Sequence, residues 1–213
     1  MYTHKTTARD LGRSSLRRGH PSPPHHRLSS RTESMNSISI PPSWPGRIWG
    51  HTLCSTDSTG RFTCVTGDCG SGTGECNDRG ATPPATLAEF TLNGANGMDF
   101  YDVSLVDGYN LPMMVVPQGE SGGNCNVTGC MADLNKNCPS ELILTGAGES
   151  VACRSACEAF GDTMYCCSGA YSTPQTCNPT SFSQYFTCSS SPNYVITFCP
   201  TPANRWWWWW WLW

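Results

Sequence analysis

GRFTCVTGDCGSGTGEC, residues 60–76, packs three of the chain's fourteen cysteines and five glycines into seventeen positions. Glycines at that density allow tight, left-handed turns. The stretch lacks the G-K-[S/T] ending that a phosphate-binding loop requires, and Asp68 and Glu75 place negative charge where a phosphate would sit. It reads instead as a compact disulfide knot. A metal knot is disfavoured by ligand spacing. Cys64 and Cys69, like Cys125 and Cys130, are separated by four residues, no C-x-x-C occurs, and His51 is the sole histidine after residue 26. No metal and no cofactor are therefore expected.

The composition around this knot supports the same reading. Of 213 residues only 14% are charged and 38% hydrophobic, against 21 glycines, 16 prolines and the 14 cysteines. Such a chain is rich in loops and is held by cross-links where its apolar core is thin, as in proteins that fold in an oxidising compartment. The net charge of −3 divides into +5 over residues 1–39 and −8 over the remainder. An acidic body repels phosphate backbones, which excludes nucleic acid as its partner.

The two ends differ from the body. Residues 1–39 are rich in Arg, Ser, Pro and His without apolar periodicity and are expected to be disordered. They contain no apolar run of the kind a secretory leader needs. A basic arm, a transit peptide and a mis-assigned start that replaced the true leader all remain open, and the last fits the cysteines best. At the other end, residues 201–213 (TPANRWWWWWWLW) hold seven of the nine tryptophans. That run is too short to span a bilayer, which needs about 20 residues. It is read either as an interfacial or adhesive element or as read-through into a repeat, with the second favoured.

Between them the body reads mainly as strands. TLAEFTLN (86–93) alternates Ala88, Phe90 and Leu92 with Leu87, Glu89 and Thr91, and DFYDVSLV (99–106) runs into a turn at Asp107-Gly108. LPMMVV (111–116) and NYVITF (193–198) add more buried strands. In SVACRSACEAFG (150–161) a short helix is expected, capped by Ser150, ended by Gly161, with Cys153 and Cys157 on one face. The adjacent Cys166 and Cys167 point to opposite sides of an extended chain and should have different partners.

The residues of 60–76 also match the signature G-x-x-x-C-x-T-G-D-C, and the body thereby resembles the thaumatin-like proteins, the group-five pathogenesis-related proteins of plants. GRIWGHTLC (46–54), PPATLAEFTL (83–92), DFYDVSLVDGYNLPM (99–113), GGNCNVTGC (122–130), CRSACEAFGDTMYCC (153–167) and NYVITFCP (193–200) resemble the same family. The resemblance implies a mainly β fold, a thaumatin-like β-sandwich over residues 40–200. A small disulfide-rich lobe with a short helix is expected at about 125–180. Two cysteines of the family's sixteen are missing, one in an N-terminal strand and one where SFSQYFTC (181–188) crosses a deletion, so the sandwich is expected to lack N-terminal strands. The family's pairing, carried onto matched positions, implies Cys54–Cys64, Cys69–Cys76, Cys125–Cys188, Cys138–Cys153, Cys157–Cys166 and Cys167–Cys177. It leaves Cys130 and Cys199 without partners.

The resemblance further implies an acidic cleft in which Glu89, Asp102 and Asp107 match the family's carboxylates and Arg47 its basic member. Glycan hydrolysis needs one protonated and one ionised carboxyl across the anomeric carbon. Glu89 is the expected proton donor, Asp102 or Asp107 the second carboxylate, and Tyr109 a stacking residue at the rim. A fifth cleft aspartate falls in the deletion. Without the resemblance, each carboxylate reads as a turn residue binding backbone amides, as Asp68 and Asp99 do on this reading. Asn126-Val127-Thr128 is a glycosylation sequon. The expected protein is a secreted, apoplastic, monomeric plant defence protein that binds β-1,3-glucan of fungal walls, with weak endo-β-1,3-glucanase activity in prospect. The alternatives are a non-enzymatic antifungal protein that permeabilises membranes or binds receptors, and a non-functional truncated copy.

Overall fold

The computed structural model describes residues 10–13, 37–119, 123–173, 175–177, 186–189 and 193–200. The rest of the basic N-terminal segment, the junction at 181–185 and the tryptophan-rich residues 201–213 lie outside the described residues.

Two sheets face each other. The larger has seven strands: β1 (Asp10–Arg13), β2 (Pro45–Thr56), β3 (Phe62–Thr66), β4 (Leu87–Thr91), β5 (Met98–Ser104), β7 (Gly123–Asn124) and β11 (Phe186–Ser189). Its order is β1-β2-β4-β5-β11-β7, with β3 paired to the far half of β2. The smaller has the order β12-β6-β8, from Asn193–Phe198, Met113–Gln118 and Thr128–Cys130. Alternation along the strands builds the space between them. Ala88 and Phe90 of β4 and Tyr101 of β5 meet Met113 and Val115 of β6 and Phe198 of β12 in one buried cluster, joined by Trp44 and Cys188. The alternate residues Leu87, Glu89 and Asp102 face the other side, the consequence of a side-chain period of two.

The signature 60–76 folds over that other side. Trp49, Ala85 and Leu87 pack with Cys69 and Cys76 in a second cluster, and the Trp49 indole N–H donates to the Gly67 carbonyl at 2.8 Å. Gly67 has φ +68°, and a Cβ there would stand 2.6 Å from the Gly50 carbonyl oxygen, so only glycine fits. Asp68 and Asp99 bind backbone amides as expected: Asp68 accepts from Cys64 N at 2.7 Å and Asp99 from Asn93 N at 2.7 Å.

The disulfide-rich lobe consists of the hairpin β9 (Ile143–Gly146) and β10 (Glu149–Cys153), helix α1 (Ala156–Phe160) and short turns. The helix differs from expectation at its start. Residues 149–153 are strand, and Ser155, not Ser150, caps the helix by accepting from the Glu158 amide. The β-branched Val151 and the pairing of Ala152 and Cys153 with β9 hold this segment extended, so Cys153 and Cys157 share no helical face. Gly161 ends the helix in the left-handed conformation at φ 64°.

Six disulfides join Cys54–Cys64, Cys69–Cys76, Cys125–Cys188, Cys138–Cys153, Cys157–Cys166 and Cys167–Cys177. These are the pairs the resemblance implies, and Cys166 and Cys167 do take different partners. Strand β6 lies between β8, which carries Cys130, and β12, which leads to Cys199. Two strand spacings separate them by roughly 10 Å, beyond the roughly 7 Å reach of a disulfide, and the two do not bridge each other.

Residues 10–13 correct the reading of the whole segment 1–39 as disordered. They form β1, antiparallel to β2 with Asp10 opposite His51 and Arg13 opposite Ile48. Pairing on an open strand edge satisfies backbone donors and acceptors and needs no apolar period, which is why the pattern in the sequence did not show it.

Candidate functional site

Three adjacent strands place three charged side chains in one row. The β2–β4 register sets Arg47 opposite Glu89, and the β4–β5 register sets Glu89 opposite Asp102. Directly opposed residues in an antiparallel pair have Cβ atoms about 5 Å apart. The Arg47 Nε lies 2.6 Å from Glu89 Oε1, with the arginine side chain 44% and the glutamate 22% exposed.

Asp102 differs sharply from both. It is 1% exposed, and neither carboxylate oxygen has a hydrogen-bond partner among the described residues. Burial pushes its pKa up to about 7, the neighbouring Glu89 charge adds to the rise, and Arg47 opposes it. The row thus contains a carboxylate paired with a guanidinium and, beneath it, a buried carboxyl without a hydrogen-bond partner among the described residues. Glu89 is engaged with the guanidinium, and Asp102 lies beneath it with its carboxyl shielded from solvent.

The other expected members stand elsewhere. Asp107 lies beyond the end of β5 in the turn closed by Gly108 N donating to Leu105 O at 3.1 Å, and its charge acts on Glu158 of α1, whose pKa is raised chiefly by burial. Tyr109 is fixed by two backbone hydrogen bonds to Cys153, at 2.9 and 2.8 Å, and its hydroxyl donates to the Leu134 carbonyl at 3.4 Å. It lines a cavity together with Val103, which points to the opposite face of β5 from Asp102. The structure therefore brings together Arg47, Glu89 and Asp102, and leaves Asp107 and Tyr109 outside the row. Asn126 is exposed in the loop between β7 and β8, and its carbonyl accepts from the Tyr101 hydroxyl at 2.7 Å.

Asn110 is a positioning residue that the sequence reading missed. Buried to 2%, it accepts from Thr86 N at 3.1 Å and donates to Gly50 O at 2.9 Å and Thr66 Oγ1 at 2.8 Å. It thereby ties the approach to β4 to β2 and β3, the strands that carry and flank Arg47 and Glu89. Its signal in the sequence was a polar residue between Tyr109 and the apolar run 111–116, a position that reads equally well as a loop.

Two groups of ligand-type atoms gather around His51, one with Cys69 and Cys76 and one with Cys54 and Cys64, each within 4.8 Å. In both, the two cysteines are joined in a disulfide, and the sulfurs carry no thiolate charge for a metal. No helix among the described residues is long and apolar enough to cross a membrane.

The Thaumatin family model matches residues 13–194. The chain belongs to the thaumatin family. Its relatives include Thaumatin-like protein 1a of Malus domestica, 49% identical over 189 residues that cover 79% of this chain and 76% of the relative. A protein of Prunus avium named Glucan endo-1,3-beta-glucosidase is 49% identical over 183 residues, covering 76% of this chain and 74% of that protein. The PR5-like receptor kinase of Arabidopsis thaliana is 49% identical over 200 residues, and the match takes in 83% of this chain but 30% of the kinase. Among solved structures, a thaumatin-like xylanase inhibitor aligns with a TM-score of 0.50 at 22% identity, over 93% of this chain and 97% of its own. That likeness shows the thaumatin fold, a mainly β architecture stapled by disulfides.

Proposed function

We propose that this thaumatin-family chain is an extracellular plant defence protein that binds β-1,3-glucan of fungal walls through the Arg47–Glu89–Asp102 row. The observation that carries the reading is the row itself: a guanidinium, a carboxylate and a buried carboxyl in direct cross-strand register. Arg47 and Glu89 offer a donor and an acceptor to sugar hydroxyls at the surface, with the charge of Glu89 balanced by Arg47 and Asp102 buried beneath them. The relative named as a glucan endo-1,3-beta-glucosidase supports a β-1,3-glucan as the ligand class.

Turnover is the weaker part of this reading. Hydrolysis needs one carboxyl that delivers a proton to the leaving oxygen and one that acts at the anomeric carbon. Here Asp102, whose burial raises its pKa to about 7, is shielded from solvent, and the more exposed Glu89 is held by Arg47. We therefore assign binding as the function, with any hydrolysis slow. Co-sedimentation with insoluble β-1,3-glucan, with cellulose as control, tests it: the native chain pellets with glucan, and Glu89→Gln and Arg47→Gln each release most of it. Equal pelleting of the native chain and both variants would remove the row from the function.

A further inference from the structure

A cavity of about 360 Å³ opens between the two sheets. Val103 of β5 and Phe186 of β11 line it from the larger sheet, Met113 of β6 and Cys130 of β8 from the smaller. Val103 is on the face of β5 opposite Asp102, so the space is separate from the Arg47–Glu89–Asp102 row and does not depend on glucan binding there. A volume of this size is in the lower part of the range of small-molecule pockets, about 300–1,000 Å³. An apolar cavity of about 150 Å³ already takes a benzene ring, so two fused rings match the larger space.

The wall sets the chemistry of the occupant. No Asp, Glu, Lys, Arg or His is among its described residues, and apolar side chains form most of it. A charged ligand would lose its hydration there with nothing to pair it, which selects against ions. One polar group in the wall lacks a partner. Asn135 donates through Nδ2 to the Asn110 carbonyl at 2.8 Å, but its buried Oδ1 accepts nothing among the described residues. The Asn110 side chain, by contrast, is engaged with Thr86 N, Gly50 O and Thr66 Oγ1. A ligand with one O–H on a flat apolar body supplies the donor that Asn135 lacks and fills the remaining space with ring.

We propose that this cavity binds a neutral aromatic alcohol of about two rings, its hydroxyl donating to Asn135 Oδ1 and its rings lying against Val103, Met113 and Phe186. Cys130 shares the wall and is half-buried, so a seated ring shields its thiol from reagents in solution. The simplest probe is 2-naphthol. At the ligand efficiencies of small molecules its roughly eleven non-hydrogen atoms give a Kd on the order of 0.1 mM.

The test is the rate at which iodoacetamide alkylates Cys130 in the full chain, read by peptide mapping. With 2-naphthol at about 0.1 mM that rate should halve, because half of the sites are then filled. 2-Methoxynaphthalene keeps the rings without the donor, and 2-naphthoate adds a charge. At the same concentration each should slow alkylation by about 10% or less, the mark of binding roughly tenfold weaker. In Asn135→Ala with native far-UV circular dichroism, 2-naphthol should protect no better than 2-methoxynaphthalene. No protection of the native chain by 2-naphthol, or equal protection by either analogue, would overturn the proposal whatever the variant does. An undiminished preference for 2-naphthol in Asn135→Ala would overturn it as well.

Discussion

Glu89 faces Arg47 on one neighbouring strand and Asp102 on the other, bonded to the first at 2.6 Å and electrostatically opposed to the second. The charge of Arg47 therefore reaches Asp102 as well as Glu89. Removing the arginine tests this. In Arg47→Ala the attraction that lowers the Asp102 pKa is lost, and its midpoint, about 7 in the native chain, moves upward. A carboxyl carbon resonance followed by NMR between pH 4 and 9 reads the midpoint directly, and an unchanged value would disconnect the two residues.

Stability should follow Asp102 with a definite sign. Its pKa rises from 3.8 to about 7 on folding, so between those values the folded state holds a proton that the unfolded state has released. Stability is then undiminished below about pH 4, falls as pH rises toward 7 and is flat above it, with a total loss of at most about 4 kcal/mol. Asp102→Asn removes the ionisation. Urea denaturation at pH 5 and pH 8 should show a fall with pH in the native chain and a smaller one in the variant; matching falls would assign the dependence to other groups.

The disulfides should differ by the length of chain they close. Cys125–Cys188 spans 63 residues and Cys69–Cys76 spans 7, so loop-closure entropy assigns them about 4 and about 2 kcal/mol. The double variants Cys125→Ala/Cys188→Ala and Cys69→Ala/Cys76→Ala, unfolded in urea, give the comparison. A larger loss for the short bridge would mean that its packing on Trp49 and Leu87 outweighs the chain entropy.

Asn110→Ala leaves the Gly50 carbonyl and the Thr86 amide without their side-chain partners in a buried site. Each such orphaned group costs about 1–3 kcal/mol, so a loss of roughly 2–6 kcal/mol is expected by urea denaturation. Glucan pelleting measured on the folded fraction should also weaken, since β2 and β4 lose a common anchor. Unaltered stability would show that water replaces the side chain.

Much of the fold was legible because it rests on local pattern. The alternation in 86–93 orients Ala88 and Phe90 to the core, and in the knot at 60–76 Asp68 accepts from the Cys64 amide four residues away. The helix cap was misplaced because Ser150 and Ser155 are equally good cap residues locally. Pairing of 149–153 with β9, a contact between segments, decides between them.

By itself, the sequence determined the strand-rich body, the disulfide-dependent stability, the acidic charge and the identity of the carboxylates, since these follow from residue type and short-range periodicity. The tertiary structure decided which carboxylates meet and what each can do. Register across β2, β4 and β5 assembles Arg47, Glu89 and Asp102 and leaves Asp107 with Glu158, because the side-chain period fixes a face along one strand but not the alignment between strands. Burial then separates two chemically similar acids. Glu89 is partly exposed and held by a guanidinium, the oxygens of Asp102 are buried without a partner among the described residues, and a carboxyl without solvation has its pKa raised.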